Sequence, residues 1–366
     1  MINIQQWTRL ATRGCSRPWR VLEQSFAGVV VQQSSEGRLA MKLRWIDSKG
    51  VTERDLGELS ALLQRTDGFL WLDIPEWSDE AEALFANQFH FHPMAISESR
   101  NRNHVPRVHV YPHHEFIVVH APEIGTGGHV HYLELDQFVG ENFLVTVHGP
   151  LNPKVPLESA LRETEAAAAR MDSGWLPSSP FGLAYAIVSS IADRQAELVA
   201  EIAGEVGLLE QRVMAEAEED PQEFLGQLFA LRHELLTIKT MAEQGGEIYR
   251  RAIKLTRFAP PDGLELMNDV LNQYETVTHI SDSQLRFLIG VTEFYRARTD
   301  TKMTIAAERL AVIAVLTLPI TSLSSIMGMN VIVNDSTRWI SLIILLLIML
   351  IISLVLLRWA RRQGWW

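Results

Sequence analysis

Length, composition and charge narrow the classes of protein to which this chain can belong. The chain has 366 residues, of which 47% are hydrophobic and 21% charged, enough for two or three domains. A formal net charge of −11 gives little support to a nucleic-acid partner, because such a partner requires clustered Lys and Arg. The single cysteine, Cys15, excludes an internal disulfide and a thiolate metal cluster. We therefore expect most of the chain to lie in a reducing cytoplasm.

Residues 1–156 are predicted to form an N-terminal cytoplasmic α/β domain. Five runs rich in Val, Ile and aromatic residues, bounded by turn residues, predict strands. They are Phe69–Ile74, Arg107–Val110, Glu115–His120, His131–Gly140 and Asn142–His148. Two other runs, Thr52–Thr66 and Asp79–Asn87, predict helices. The expected fold class is therefore α+β, a mixed sheet with helices.

Residues 157–309 are predicted to form a cytoplasmic helical region. Apolar residues at helical spacing predict helices over Ala160–Met171, Phe181–Ala217 and Gln222–Leu255. Asp220 and Pro221 suit the cap and first turn of the third. From Leu264 the pattern predicts one long stalk helix that continues into the membrane; the alternative is two helices with a bend near Gly290.

Residues 310–366 are predicted to form a transmembrane domain of two helices joined by a short external loop. A helix needs about 20 mostly apolar residues to cross a bilayer. Leu310–Met327 and Trp339–Trp359 meet this requirement, which places helices at about 310–329 and 339–359. The second stretch is too long and too uniformly apolar for the core helix of a soluble protein.

The two stretches differ in polarity. The first carries a proline and several hydroxyl side chains: Thr317, Pro319, Thr321, Ser322, Ser324 and Ser325. Hydroxyl groups inside a bilayer turn toward other helices or water, so the first helix is the better candidate to line a pore. The alternative is that its small residues only allow close helix packing. The second stretch is nearly all Leu and Ile, as expected of a helix that faces lipid.

Positive charges beside the membrane predict its orientation. Arg358, Arg361 and Arg362 flank the end of the second stretch, whereas the connecting loop has only Arg338. Because cytoplasmic segments carry an excess of Lys and Arg, we expect both termini in the cytoplasm.

A tripeptide at the end of the first stretch suggests a family. Gly328-Met329-Asn330 closes the first of two C-terminal spans and precedes a short loop. Earlier in the chain stand further landmarks, namely Trp71-Leu72-Asp73-Ile74, His92-Pro93-Met94-Ala95 and Phe143-Leu144-Val145-Thr146-Val147-His148. In these motifs and their order the chain resembles the CorA family of divalent-cation channels, whose signature is GMN in this position. The resemblance implies a homopentameric funnel gated by cytoplasmic cation, in a bacterial-type plasma (inner) membrane.

The resemblance also implies a set of pore residues. Gly328, Met329 and Asn330 would form the selectivity filter, with the Asn330 amide oxygens as metal ligands that hold a hydrated cation through its waters. Leu310, Ala314, Leu318 and Thr321 recur at three- and four-residue steps, which puts them near one helix face. By the resemblance they line the pore; the alternative is ordinary helix packing. Asn330 would miss that face on an unbroken helix. If Asn330 shares the pore axis, as the resemblance implies, the helix must end or loosen near Gly328.

Five further residues, two acids and three arginines, follow from the family pattern. Asp269 and Glu293 stand on the stalk where family members bind regulatory cation between subunits, although acids on a helix are usually just solvated. Arg358, Arg361 and Arg362 would form a basic collar at the inner mouth, or else simply anchor the helix.

Magnesium is the first candidate for the transported cation, and two alternatives remain open. The loop Val331–Arg338 has a single acid, which predicts weaker attraction of cations than in many magnesium channels. Zinc (or cobalt or nickel) is the runner-up, because five histidines could gather a borderline ion. They are His109, His113, His114, His129 and His131. The other alternative is a regulatory membrane protein of the same fold that conducts poorly.

The sequence does not indicate an enzyme. It contains neither a nucleotide-binding glycine loop nor a GxSxG motif. We expect no cofactor apart from the transported divalent cation. The expected partners are other copies of the chain, membrane lipid and divalent cations, but not nucleic acid.

Overall fold

A seven-stranded mixed sheet lies at the centre of the N-terminal half in the computed structural model. The structure describes residues 40–362 except 102, 104, 126–128, 151–153, 216–219, 258 and 329–338. The strands are β1 (Lys42–Asp47), β2 (Gly50–Arg54), β3 (Gly68–Ile74), β4 (Arg107–Val110), β5 (Glu115–Ile124), β6 (Val130–Val139) and β7 (Phe143–His148). Their order is β2-β1-β3-β7-β6-β5-β4, and among them only the β3–β7 pair is parallel. The predicted mixed sheet is confirmed.

One sequence prediction in this half is wrong. Thr52–Thr66 was expected to be a helix, but β1 and β2 form a hairpin that takes its first residues. Gly50 adopts a positive φ of 140° in the turn, a conformation that few other residues tolerate. Only Leu56–Glu58, a 3-10 turn, and the short helix α1 (Leu59–Leu62) remain helical in this segment. The hairpin extends the sheet beyond β3.

Helices cover both faces of the sheet. They are α1, α2 (Asp79–Asn87), α3 (Pro93–Arg100), α4 (Leu157–Asp172), α5 (Pro180–Met214), α6 (Pro221–Leu255), α7 (Pro261–Gly328) and α8 (Trp339–Arg362). Since strand side chains alternate between faces, β3 sends Leu70 and Leu72 toward α1–α3 and Phe69 and Trp71 toward the long helices. The two cores are therefore separated by the sheet itself.

Local capping accounts for where the long helices begin. Ser179 and Asp220 precede α5 and α6, and each side chain accepts a hydrogen bond from a backbone N–H in the first turn. Each is followed by a proline at the first helical position, where no N–H is needed. The predicted cap at Asp220 is confirmed.

The stalk is one continuous helix. α7 runs for 68 residues, through Gly290 and Pro319, and ends at Gly328. At 1.5 Å per residue it is roughly 100 Å long. The single-helix prediction is confirmed, and the helix does not stop at the predicted domain boundary between 309 and 310. That boundary and the one at 156, which falls between β7 and α4, stay predictions.

α7 is also the one helix in the described part of the chain that is long and apolar enough to cross a membrane. Only 6% of its apolar stretch is buried, so it is not the core helix of a soluble domain. Within α8 the corresponding described stretch is Leu346–Trp359, which is shorter.

Candidate functional site: the membrane end of the long helix

The four predicted pore residues share one exposed face of α7. On a helix of 3.6 residues per turn, Leu310, Ala314, Leu318 and Thr321 fall within a sector of about 80°. All four are exposed in the single chain, Leu310 by 66% and Leu318 by 64%. A face this apolar and exposed requires a covering of lipid or of other copies of the chain.

The opposite face of the same helix is the one that loses exposure. Its buried or half-buried positions are Val312, Leu316, Pro319, Ile320 and Leu323. On an ideal helix these lie roughly 180° to 280° around from Leu310. α7 packs against α8 in the structure, so one side of its membrane end is turned to a partner within the chain and the predicted pore side is left uncovered.

The hydroxyl of Thr321 has a fixed orientation. It donates a hydrogen bond to the Thr317 carbonyl oxygen at 2.8 Å, one turn back along α7. Because its proton is used within the helix, the oxygen lone pairs remain available to accept from water. A ring of such oxygens suits contact with the hydration shell of a cation.

The predicted selectivity filter lies mostly outside the described residues. The described part of α7 reaches Gly328, and the expectation from the resemblance, that the helix ends or loosens near this residue, stays a prediction. Met329 and Asn330 lie beyond it and are not among the described residues, and neither is the loop Val331–Arg338. Their roles stay predictions.

Asp269 accepts hydrogen bonds from two side chains of its own chain. Its Oδ2 accepts hydrogen bonds from the Tyr185 hydroxyl of α5 at 2.7 Å and from Gln273 Nε2 at 2.8 Å. The bond to Asp269, together with burial, raises the pKa of Tyr185. Asp269 is nevertheless exposed, so its carboxylate can also meet solvent or a neighbouring copy.

Glu293 is exposed as well, but it does not share a face with Asp269. The 24 residues between them place the two carboxylates roughly 36 Å apart along α7 and about 120° apart around it. No single ion can bridge both within one chain. Asp269 is also roughly 80 Å along the helix from Thr321, so any effect of a cation there has to reach the pore through α7.

The three arginines predicted as a collar cluster at the end of α8. Arg358, Arg361 and Arg362 are exposed and spaced so that they lie on neighbouring positions of one helix face. Arg361 and Arg362 stand in the last turn, where a positive charge complements the helix dipole. Both the collar and the anchor interpretation are compatible with this arrangement.

The histidines do not form a metal centre in the described part of the chain, where no three His, Cys, Asp or Glu side chains are arranged to hold a metal ion. His109 Nε2 lies 3.5 Å from Glu98 Oε2, and His129 makes an edge contact with His233. His114 is buried, which together with nearby His113 and His92 lowers its pKa to about 4. The zinc alternative therefore receives no support from these histidines.

Sequence reasoning missed the buried acids of the sheet domain. Asp136 on β6 accepts a hydrogen bond from Ser99 Oγ at 2.6 Å, and burial, then the neighbouring Glu134, raises its pKa well above the ordinary value. Glu115, the first residue of β5, is fully buried. Acids within apolar runs were the available signal, because a charged residue inside a buried strand needs a partner or a raised pKa.

The fold and the exposed apolar end of α7 define the class: a membrane protein with an α/β domain attached to a long membrane-entering helix. Residues 66–362 match the family model described as CorA-like Mg2+ transporter protein. The chain belongs to this family and is a CorA-family divalent-cation transporter.

Individual relatives agree with the assignment. The candidate metal ion transporter YfjQ of Bacillus subtilis (strain 168) is 24% identical over 301 residues, which cover 81% of this chain and 89% of YfjQ. The CorA magnesium transporter from Methanocaldococcus jannaschii superposes with a TM-score of 0.74 at 14% identity, over 90% of this chain and 99% of that one.

Two other solved structures share the fold. Full-length CmaX has a TM-score of 0.68 at 16% identity, over 89% of this chain and 97% of its own. The ZntB cytoplasmic domain from Vibrio parahaemolyticus has a TM-score of 0.55 at 12% identity, over 71% and 98%. At these identities the likeness is one of fold, and it does not separate the candidate ions.

Proposed function

We propose that the protein is a divalent-cation channel in which several copies of α7 surround a pore. The observation that carries the proposal is the exposed face of Leu310, Ala314, Leu318 and Thr321, which lies opposite the side of α7 that is buried. Copies of one chain that bring this face together would bury it, and α8 would then lie outside, toward lipid. By the family resemblance the number of copies is five.

In this arrangement the cation passes a polar ring at Thr321 and apolar constrictions at Leu318 and Leu310. Apolar constrictions close a pore by excluding water, so opening requires them to widen. Asn330, with Gly328 and Met329, is proposed as the filter at the outer mouth. Neutral amide oxygens can hold a hydrated magnesium ion without trapping it.

The remaining assignments belong to the same proposal. The chain would cross a bacterial-type inner membrane twice, as α7 and α8, with both termini in the cytoplasm. Asp269 and Glu293 would bind regulatory cation, and the arginines of α8 would surround the inner mouth. Flux would follow the electrochemical gradient, and no enzymatic step or cofactor is proposed.

A second candidate has a specific observation in its favour. The loop Val331–Arg338 contains one acid, Asp335, and an arginine, which would attract cations weakly. This favours a poorly conducting regulatory protein, or a channel for another ion such as zinc, cobalt or nickel.

Ion flux into liposomes tests these candidates. The purified protein is reconstituted with low internal cation and an inside-negative potential, and entry of magnesium and of zinc is followed with ion-selective dyes. We expect magnesium to enter faster than in protein-free liposomes. Entry of zinc alone would make zinc the substrate, and no entry of either ion would support the regulatory candidate.

A further inference from the structure

Glu115 occupies an unusual position for a carboxyl group. It is the first residue of β5, is 0% exposed, and is paired with Val110 of β4 and Val139 of β6. Neither of its carboxylate oxygens has a hydrogen-bond partner among the described residues. A buried charge without a partner is costly, so the group is expected to be neutral in this environment.

The carboxyl group faces a small cavity between the sheet and three helices. The cavity has a volume of about 20 Å³, room for one water molecule. Ala184 of α5, Tyr249 of α6, and Met267 and Val270 of α7 line it together with Glu115. Glu115 thus lies where the base of the stalk helix packs on the sheet.

Little around the cavity can compensate a negative charge. Its described lining contains no cationic side chain, and its other titratable groups are Tyr185 of α5 and Tyr249 of α6. The pKa of Tyr249 is raised well above its ordinary value by burial, then by Tyr274 of α7 and by Glu115. On α7, Asp269 accepts the Tyr185 hydrogen bond and is itself an acid.

The surroundings favour the protonated form of Glu115. Burial raises its pKa from 4.5 to about 7, and the nearby Thr256 hydroxyl, to which the structure records no hydrogen bond, offsets part of that rise. The group therefore changes charge within the range of cytoplasmic pH.

We propose that Glu115 is a proton-binding site at the joint between the sheet and the base of α7, and that the bound proton holds this joint closed. When the proton leaves, the carboxylate gains from solvation if the helices move away from β5. α7 continues from this joint into its apolar stretch, so movement at the joint would also affect transport. Only this consequence for transport rests on the proposed function.

The direction of the effect follows from two pKa values of Glu115: about 7 in the closed joint, and the ordinary 4.5 when the open joint exposes it to solvent. Well below pH 4.5 the group is protonated whether the joint is closed or open. Between about pH 4.5 and 7 the open state loses its proton first, so the closed joint weakens as the pH rises, and the effect is complete only well above pH 7. Because the two pKa values differ by about 2.5 units, the equilibrium constant for opening the joint can rise by at most roughly 300-fold.

Hydrogen exchange on the full-length protein in lipid nanodiscs tests the proposal. Protection of residues 261–275 is measured at pH 5 and pH 7.5, with correction for the intrinsic pH dependence of exchange. The wild type is expected to lose protection at pH 7.5 relative to pH 5 by a factor between about ten and about 60. The full limit is not reached, because the open state is already partly ionised at pH 5 and the closed state is not fully ionised at pH 7.5. Glu115→Gln, which is neutral at both pH values, is expected to show less than a twofold difference.

Two further variants keep the result interpretable. Glu265→Gln removes an exposed carboxylate from the same stretch of α7 and should behave like the wild type. Glu115→Met is a second neutral side chain of similar length, used if Glu115→Gln does not fold, and it should show no pH dependence. Equal protection of the wild type at both pH values, or an undiminished difference in the neutral variants, would overturn the proposal.

Ion flux at internal pH 6 and 7.5 separates this proposal from the proposed function. If hydrogen exchange does not depend on pH in a protein that transports ions, only the proton site is overturned. A pH-dependent joint in a protein that transports neither ion would overturn only the channel. A pH effect on flux that disappears in Glu115→Gln would support both.

Discussion

At the scale of single residues, buried polar groups link the parallel strands β3 and β7 of the sheet domain. Thr146 of β7 donates a hydrogen bond to Asp73 Oδ1 of β3 at 2.6 Å and accepts one from Trp71 Nε1 at 3.0 Å. Although burial opposes it, hydrogen bonds from His148 and Thr146 lower the pKa of Asp73. One hydroxyl thus satisfies two buried groups on the neighbouring parallel strand.

Replacement of Thr146 by Val keeps the shape of the side chain and removes both hydrogen bonds. We expect the free energy of unfolding to fall by about 2–4 kcal/mol, because an indole N–H and a carboxylate oxygen each lose a buried partner. Thr146→Ser, which keeps the hydroxyl, should lose much less. Chemical denaturation of the two variants checks this, and equal losses would contradict it.

The roles of some single residues could be predicted from the sequence, and those of others could not. The cap at Asp220 was predictable because capping depends on residues adjacent in sequence. The raised pKa of Glu115 was not, because it depends on helices more than 60 residues away in the chain that close over β5. Burial by distant segments leaves no local pattern in the sequence.

At the scale of elements, close contact between α6 and α7 supports the stalk. The ring of Tyr274 lies against Gly245, where an added Cβ would come within 2.7 Å of a ring carbon. The Tyr274 side chain is fully buried, so it has no open space to move into. Glycine at 245 therefore permits the approach of the two helices.

Replacement of Gly245 by Ala is expected to destabilise the protein by about 1–3 kcal/mol, because overpacking forces the helices apart. Gly226 lies on the same helix with nothing within 4 Å of an added Cβ. Gly226→Ala should therefore stabilise by about 0.5–1 kcal/mol through helix propensity. Thermal unfolding of both variants measures the contrast, and effects of the same sign would refute it.

Element prediction from sequence succeeded where the helical periodicity is long and failed where two local patterns competed. The stalk was predictable because no residue between Leu264 and the membrane span is a breaker strong enough to end a helix. The hairpin of β1 and β2 was missed, although the equally short β4 and β7 were predicted. A helical pattern in Thr52–Thr66 competed with it, and pairing with β3 determined the outcome.

At the scale of the whole molecule, the account requires several copies to meet along one face of α7. Cysteine substitution tests this in a background where Cys15, the one native cysteine, is replaced by Ser. Leu318→Cys and Thr321→Cys are expected to react with a water-soluble thiol reagent in the membrane-embedded protein and to form cross-links between copies. Leu323→Cys, on the half-buried opposite face, should react at least tenfold more slowly. Reaction of all three at similar rates would argue against the assigned face.

The assembly itself was predictable only through the family. The exposed apolar face indicates that something covers it, but the structure of a single chain does not give the number of copies in the assembly. The filter has the same status, since its position follows from the GMN motif.

Ion flux through an Asn330→Ala variant tests the central claim most directly. Asn334→Ala, a change of the same kind four residues later, in the loop Val331–Arg338, is the matched control. Both proteins are reconstituted at equal content of assembled protein. The account predicts that flux of the transported cation falls at least tenfold in Asn330→Ala and stays within twofold of wild type in Asn334→Ala. Undiminished flux in Asn330→Ala would contradict a pore whose filter is the GMN motif.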